Sequence, residues 1–354
     1  MPKADISLTN LRARYSGPLI ILGKLGTARS GDPGGVVKHS NVVIALCFAL
    51  VFALPAVSAQ AQNQHSFVSS LGNDANACTL TAPCRHLQAA LTATIAGGEI
   101  AILDTAGYNG GATVTITRAV SIVNPGGFEA AIAPPSGGVG IIINAGTNDA
   151  VSLRGLSIDG GGVGATGIVF NTGASLTIEN CIVRHMVNDG IDFLSSTATS
   201  ALTVSNTLVA DNGAAGIYLT PNGSATAVFN RVEANNNGGH GIVVYGVNSA
   251  NTNTINATVS DSIAAGNGSA GFFTTTDSSH APTNVMVFHS VAANNGTGVF
   301  ANGSGGTLRV ANSTVTGNTN GWLALSSGVV ASYDDNYIDG NGSNTGSLTP
   351  ISKQ

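Results

Sequence analysis

The chain has 354 residues, of which 47 are glycine and only 9% are charged. Low charge combined with 43% hydrophobic residues argues against disorder, and so much glycine argues against a helical protein. The N-terminal 59 residues carry six of the 13 basic residues and two of the 18 acidic ones, so the remainder holds seven against 16, which excludes the basic surface of a nucleic-acid binder.

Residues 38–59 have the organisation of a secretory signal peptide. A basic start precedes the apolar run 42–54, and small residues follow at the cleavage position. The run is shorter than the roughly 20 residues that span a membrane. We therefore predict a secreted, periplasmic or cell-surface protein with no membrane span after cleavage, whose mature chain starts at Gln60 or Gln62.

The stretch before that signal, residues 1–37, is polar, rich in glycine and without a hydrophobic pattern. Two explanations stay open. It is either a disordered extension or a gene-start artefact, with translation beginning instead at Val36 or Val37. The fold argument excludes this stretch.

The segment 60–98 is predicted to form an N-terminal cap. In an exported chain Cys78 and Cys84 are expected to form a disulfide, which leaves Cys181 as a buried free thiol. Apolar residues at helical spacing then predict a short helix that ends at the glycine pair 97–98 and covers exposed strand edges. The stripe of that helix is Leu87, Ala90, Leu91, Thr94 and Ile95.

The segment 99–350 is predicted to be built of repeats: strand-like stretches at 98–103, 112–123 and 139–146 belong to early, less regular coils, and a regular repeat follows them. Each unit is too small to bury its apolar face alone, so the units must stack as coils of a solenoid. A glycine followed by a large apolar residue recurs at Gly167, Gly190, Gly216, Gly241, Gly271, Gly298 and Gly321. A polar column in step with it is expected to form left-handed turns and a stacked side-chain ladder: Asn180, Asn206, Asn230, Asp261, His289, Asn312 and Asp335.

These two columns and the N-terminal cap resemble the right-handed parallel β-helix proteins of the pectate-lyase-like superfamily. The resemblance covers about residues 65–350. It implies an all-β fold, a right-handed parallel β-helix solenoid of about ten coils with an N-terminal capping helix. Fold alone does not choose among the functions of such proteins.

His240 is a candidate catalytic residue because polygalacturonases, which have the β-helix fold that this sequence resembles, carry a Gly-His-Gly element with aspartates on neighbouring coils. Here the preceding coil offers Ala215, and the nearest carboxylates, Asp189 and Asp192, lie two coils away, about 10 Å by strand spacing. The Arg-Ile-Lys element of that family has no counterpart. We therefore expect His240 to be a turn residue. Asp189 and Asp192 remain candidates because glycosidases use two carboxyls roughly 5–10 Å apart, although aspartate in turns is common for local bonding alone.

Alternation along each strand that follows a repeat glycine puts the first and third residues inward and the second outward. The outward residues form an apolar line over successive coils, which marks a binding surface unless long polar loops cover it. We assign binding to Tyr218, Val243, Phe273, Phe300 and Leu323; Val169 and Asp192 continue the line.

The sequence thus predicts a secreted binding or structural protein of the bacterial envelope or exterior. Its expected partner is an extracellular polysaccharide or envelope component, recognised on the apolar line without a cofactor or metal. The alternative is a polysaccharide-active enzyme, acting by hydrolysis, elimination or epimerisation.

Overall fold

The computed structural model describes residues 62–353, which contain one helix and thirty short strands. The expectations for the signal peptide and the stretch before it lie outside these residues. The helix, α1, spans Leu87–Ala93. None of the helical structure in 62–353 is long and apolar enough to cross a membrane.

Ten strands form one sheet, in which each strand pairs in parallel with the corresponding strand of the next coil. One strand per coil gives the ten coils that the repeat predicts. The strands are β4 (Val114–Ile116), β7 (Val139–Asn144), β10 (Thr166–Thr172), β13 (Ile191–Phe193), β15 (Ile217–Leu219), β17 (Ile242–Tyr245), β20 (Ala270–Thr275), β23 (Thr297–Asn302), β26 (Asn320–Leu325) and β29 (Ser343–Thr345).

The other twenty strands form a second parallel sheet that supplies the remaining sides of each coil. They are β1 (Asn63–Val68), β2 (Thr94–Ile102), β3 (Ala106–Gly107), β5 (Val120–Val123), β6 (Ala130–Ile132), β8 (Ala150–Arg154), β9 (Leu156–Asp159), β11 (Ser175–Glu179), β12 (Ile182–Arg184), β14 (Thr199–Ala210), β16 (Ser224–Asn235), β18 (Ile255–Ser260), β19 (Ile263–Ala265), β21 (Thr283–Phe288), β22 (Val291–Ala293), β24 (Gly306–Ala311), β25 (Thr314–Thr316), β27 (Val329–Ser332), β28 (Tyr337–Asp339) and β30 (Leu348–Pro350).

The core runs along the inside of the coils, and the alternation predicted its lining. The residues expected to point inward on three consecutive strands of the ten-stranded sheet are all at most 2% exposed. Because the strands are in register, identical positions stack on one another and exclude water continuously. These residues are Ile217, Leu219, Ile242, Val244, Phe272 and Thr274.

Glycine is required at the repeated position because neighbouring coils approach each other closely there. A Cβ on Gly216 would lie 2.7 Å from the carbonyl oxygen of Gly241, and one on Gly241 would lie 2.6 Å from that of Gly271. Both distances are too short for a carbon and an oxygen that are not bonded. Any side chain at this position would therefore push the coils apart.

Most members of the predicted polar column adopt the expected left-handed backbone conformation, but few of their side chains bond to one another. Five of its seven members have a positive φ, namely Asn180, Asn206, Asp261, His289 and Asn312. At the other two coils the positive φ falls on Arg231 and Asp334 instead. Side-chain hydrogen bonds between column members join Asn230 to Asp261 and Asp261 to His289.

A continuous ladder exists in a different column, which the sequence reasoning missed. Six stacked asparagines, of which the first five stand three or four residues before a repeat glycine, are joined by five hydrogen bonds of 2.9–3.0 Å from each side-chain amide to the side-chain oxygen of the next asparagine. Each acceptor oxygen also receives the backbone N–H of the preceding asparagine. Their regular offset from the glycine is the signal that would have identified them: Asn212, Asn237, Asn267, Asn295, Asn318 and Asn341.

The capping helix is present but shorter than predicted. It ends at Ala93, and Thr94 already has an extended backbone because β2 begins there and pairs with β1. The prediction that Thr94 and Ile95 continue the helical stripe was therefore wrong, in keeping with the strand preference of β-branched residues. The helix contacts β1, β2 and β4.

Cysteine pairing is as expected. Cys78 and Cys84 form a disulfide, and Cys181 is free and buried. Burial raises the pKa of the Cys181 thiol to about 11, so it stays protonated at neutral pH. A buried, protonated thiol is a poor nucleophile, which leaves Cys181 a packing role.

Candidate functional site

The residues predicted to form the outward line are neighbours in the register of the ten-stranded sheet. Each pairs with the next, from Val169 through Asp192 and Tyr218 to Leu323. Most are partly exposed, so loops do not bury the line. Val243 is the exception at 0% exposure. The expectation that Val243 presents a surface to a ligand therefore does not match its burial.

Three rings of this face form a stack along the solenoid. The rings of His240 and Phe273 are 4.7 Å apart and inclined by 19°, and those of Phe273 and Phe300 are 4.5 Å apart and inclined by 23°. Face-to-face contact within the stack means that the rings present mainly their edges to the outside. The stack therefore offers an apolar strip rather than open faces.

Asp189 and Asp192 form a carboxyl pair two coils before the His240 end of this stack. Asp189 accepts a hydrogen bond from the backbone N–H of Ala215 at 2.6 Å. Asp192 Oδ1 is buried and has no donor among the described residues. Burial first, and repulsion by Asp189 second, raise the pKa of Asp192 to about 7; burial also raises the pKa of Asp189. At neutral pH Asp192 is therefore about half protonated.

One tyrosine lies next to the carboxyl pair, and a second lies beyond it on the following coil. Tyr218 pairs in register with Asp192, and its ring lies 5.8 Å from that of Tyr245 at an angle of 36°. Burial raises the pKa of Tyr218, and the phenol of Tyr245 and the two carboxyls reinforce the shift. Tyr245 was missed by the sequence reasoning, although it is the fourth residue after Gly241 and alternation also places it outward.

His240 is held as a neutral ring. Its Nδ1 accepts a hydrogen bond from the backbone N–H of Ala270 at 3.1 Å, so the proton of the neutral ring is on Nε2. Burial lowers its pKa to about 4. One coil, with Ala215 in the corresponding position, separates His240 from Asp189. The histidine thus serves as a stacked turn residue with one free donor.

A family model described as a right-handed beta helix region matches residues 107–255 of the chain. The fold is a right-handed parallel β-helix. This confirms the handedness that the resemblance implied for the solenoid.

Solved structures agree on the fold of this β-helix. An alginate lyase from Paenibacillus sp. str. FPU-7 is 14% identical, with a TM-score of 0.59 over 81% of this chain and 100% of that one. XylC in complex with xylose is 9% identical, with a TM-score of 0.53 over 76% and 68%. The pectate lyase Pel9A is 16% identical, with a TM-score of 0.46 over 83% and 78%. At such identities the likeness is one of fold alone. No curated protein matches the sequence.

A cavity of about 920 Å³ lies elsewhere on the β-helix, between its last coils and the C-terminal segment. Its lining includes Phe288, Arg309 and Tyr333, and an ion pair of 2.9 Å between Lys353 and Asp335 closes one side. The outer face of the ten-stranded sheet is open and not cavity-like. It nevertheless carries two groups with strongly shifted pKa values, Asp192 and His240, on neighbouring parts of one face, which favours it as a functional surface.

Proposed function

We propose that the outer face of the ten-stranded sheet binds a polysaccharide strand laid along the axis of the β-helix. The observation that carries the proposal is the in-register line from Asp192 to Leu323, in which partly exposed apolar side chains, interrupted by the buried Val243, follow a cluster of hydrogen-bonding groups. A polymer of amphipathic rings needs both kinds of contact in a row. Two proteins of similar fold, an alginate lyase and XylC in complex with xylose, act on or bind carbohydrate, which supports this choice of ligand.

Different residues along the face supply the apolar contacts and the hydrogen bonds. The edges of Phe273 and Phe300 supply apolar contact, because their faces are occupied by the stack. The hydroxyls of Tyr218 and Tyr245 and the carboxyl pair supply hydrogen bonds that fix the orientation of a sugar. Such a combination of apolar area with a few convergent polar groups is typical of ligand sites.

We further propose that the protein acts outside the cytoplasm. The Cys78–Cys84 disulfide supports this location, since structural disulfides persist in oxidising compartments. The signal-like segment 38–59 supports it independently. An extracellular polysaccharide or envelope component is the corresponding partner.

Replacing Phe273 and Phe300 together with alanine is expected to weaken binding of the strongest glycan found on an array by about tenfold, since each ring contributes about 0.5–1.5 kcal/mol beyond its area. The melting temperature should fall less than for two fully buried rings, whose truncation costs about 3–5 kcal/mol each, because both rings are partly exposed. Titration calorimetry and thermal denaturation measure the two effects.

The matched control is Phe288→Ala, which removes a phenylalanine that is 44% exposed on the twenty-stranded sheet. Glycan affinity should be unchanged in this variant. A large loss of melting temperature in the double variant, with glycan affinity intact, would show that the stack is only a second core.

Glycoside cleavage is a second candidate function, and the carboxyl pair favours it. A carboxyl that titrates near neutrality is suited to protonate a leaving group. Most of the in-register line, from Val243 to Leu323, carries no ionisable group, however, and such an apolar stretch serves binding rather than proton transfer. The geometry therefore supports binding better than cleavage.

A reducing-sugar assay on the bound glycan tests whether the protein binds the glycan without cleaving it. We expect no release above that of a heat-denatured sample. Release that Asp192→Asn reduces by about a hundredfold or more, with glycan affinity retained, would establish cleavage as the function instead, since loss of a general acid costs about that much.

A further inference from the structure

Charge is divided unevenly between the two sheets. All seven basic residues of the described part of the chain lie outside the ten strands of the glycan-binding face. Four of them are in strands of the twenty-stranded sheet, where Arg154 faces Glu179 and Arg184 faces Asp159. The four are Arg154, Arg184, Arg231 and Arg309.

The glycan-binding face carries acidic groups instead. Asp192 lies within the line itself, opposite Tyr218 on the adjacent strand, at a spacing of about 4.8 Å. A sugar in contact with Tyr218 would therefore lie beside the carboxyl pair. Like charges placed that close in a half-buried setting repel strongly, and such repulsion is a common way to exclude a wrong partner.

We infer that this face selects uncharged glycans and rejects polyuronates of the same linkage. The inference rests on the proposed glycan binding and names the substrate class of that same surface. A neutral sugar offers hydroxyls, which donate to a carboxylate and accept from a protonated carboxyl. A uronate offers a second anion to a surface that has no cation to receive it among the described residues of the ten strands.

The preference for uncharged glycans over polyuronates should weaken as the pH falls. Because burial and mutual repulsion raise the pKa of Asp192 to about 7, the pair loses negative charge as the pH drops through neutrality, whereas a uronate with an ordinary carboxyl stays ionised down to about pH 4. Tyr218 is the titratable group next to the pair, and Tyr245 and His240 lie one coil farther along the face. Tyr218 stays protonated because its pKa is raised, and His240 stays neutral above about pH 5 because its pKa is near 4.

The test uses three pairs of hexasaccharides that differ only at C6: a β-1,4-glucan, a β-1,4-mannan and an α-1,4-galactan, each with its uronate counterpart. Calorimetry on the wild-type protein at about pH 8.5 should show the neutral member of any pair that binds to be tighter by about tenfold or more. At about pH 5.5 the difference should shrink to a few-fold, since Asp192 is then mostly protonated and the repulsion at the pair is reduced.

The double substitution Asp189→Asn/Asp192→Asn should bring the uronate to within about threefold of its neutral partner at both pH values, whatever affinity both lose with the carboxyl hydrogen bonds. The control is Asp211→Asn/Asp339→Asn, which removes the same charge from two exposed positions away from the face and should preserve the discrimination. A uronate that binds as tightly as its neutral partner at high pH overturns the inference but leaves glycan binding in place. Failure of all six probes and of a glycan array would instead overturn the proposed function.

Discussion

The substitution Ile242→Asp is expected to leave the protein unfolded. Ile242 is 2% exposed and stacks in register between Ile217 and Phe272 on the inward side of the ten-stranded sheet. Truncating such a residue costs about 2–5 kcal/mol, and burying a carboxylate without a partner adds several more. Together these approach or exceed the roughly 5–15 kcal/mol by which folded proteins are stable. Circular dichroism and thermal denaturation should show no cooperative transition.

Tyr245→Asp is the matched control, since it introduces the same charge three residues later on the opposite face of the same strand. Tyr245 is partly exposed, so a carboxylate there stays in water and should cost about 1 kcal/mol or less. A wild-type melting temperature for Ile242→Asp would mean that the alternation has been assigned to the wrong face. Comparable losses in both variants would mean that the strand tolerates no charge at all.

The alternation that underlies this prediction is the part of the structure that the sequence specifies best. A side-chain period of two is fixed by strand geometry, and a shift by one residue would exchange every inward residue with an outward one. The glycine before each strand anchors the phase, because a side chain there would collide with the next coil. Inward and outward positions could therefore be read without knowing any contact.

Contacts between side chains of different coils were less predictable. The line of outward residues was placed correctly in register, yet Val243 is buried and the rings of His240, Phe273 and Phe300 use their faces on one another. Both results depend on side-chain rotamers, which a spacing pattern does not contain. The raised pKa of Asp192 depends likewise on burial and on the charge of Asp189.

The ladder of stacked polar side chains was predicted in the wrong column for the same reason, since a spacing pattern does not show which side chains are buried. Two polar columns accompany each coil, and asparagine suits both, since it tolerates left-handed turns and also bonds to neighbouring backbone. In the predicted column the side chains point toward solvent, as shown by the exposure of Asn180 and Asn206. In the second column the turn folds inward and buries the amide, for example at Asn237 and Asn267. Only the buried column is forced to pair completely.

That buried ladder yields the second large prediction, which is that Asn267→Leu lowers stability by about 3–4 kcal/mol. The Asn267 side chain donates to Ala234 O and to Asn295 Oδ1, and it accepts from the backbone and side-chain N–H groups of Asn237, all at 2.9–3.0 Å. Leucine has a similar size but makes none of these bonds. Each net hydrogen bond is worth about 1 kcal/mol, and a donor left buried without an acceptor, here the backbone N–H of Asn237, costs about 1–3 kcal/mol.

Denaturant unfolding of Asn267→Leu measures the loss, with two comparisons to assign its cause. Asn222→Leu, at an exposed position whose side chain has no hydrogen bond within residues 62–353, should change stability by about 0.5 kcal/mol or less. Asn341→Leu, at the half-buried end of the ladder, should cost less than Asn267→Leu because water reaches the groups it abandons. Equal losses at Asn267 and Asn341 would contradict burial as the source of the effect. A neutral Asn267→Leu would show that apolar packing between the coils, rather than the amide ladder, holds these turns together.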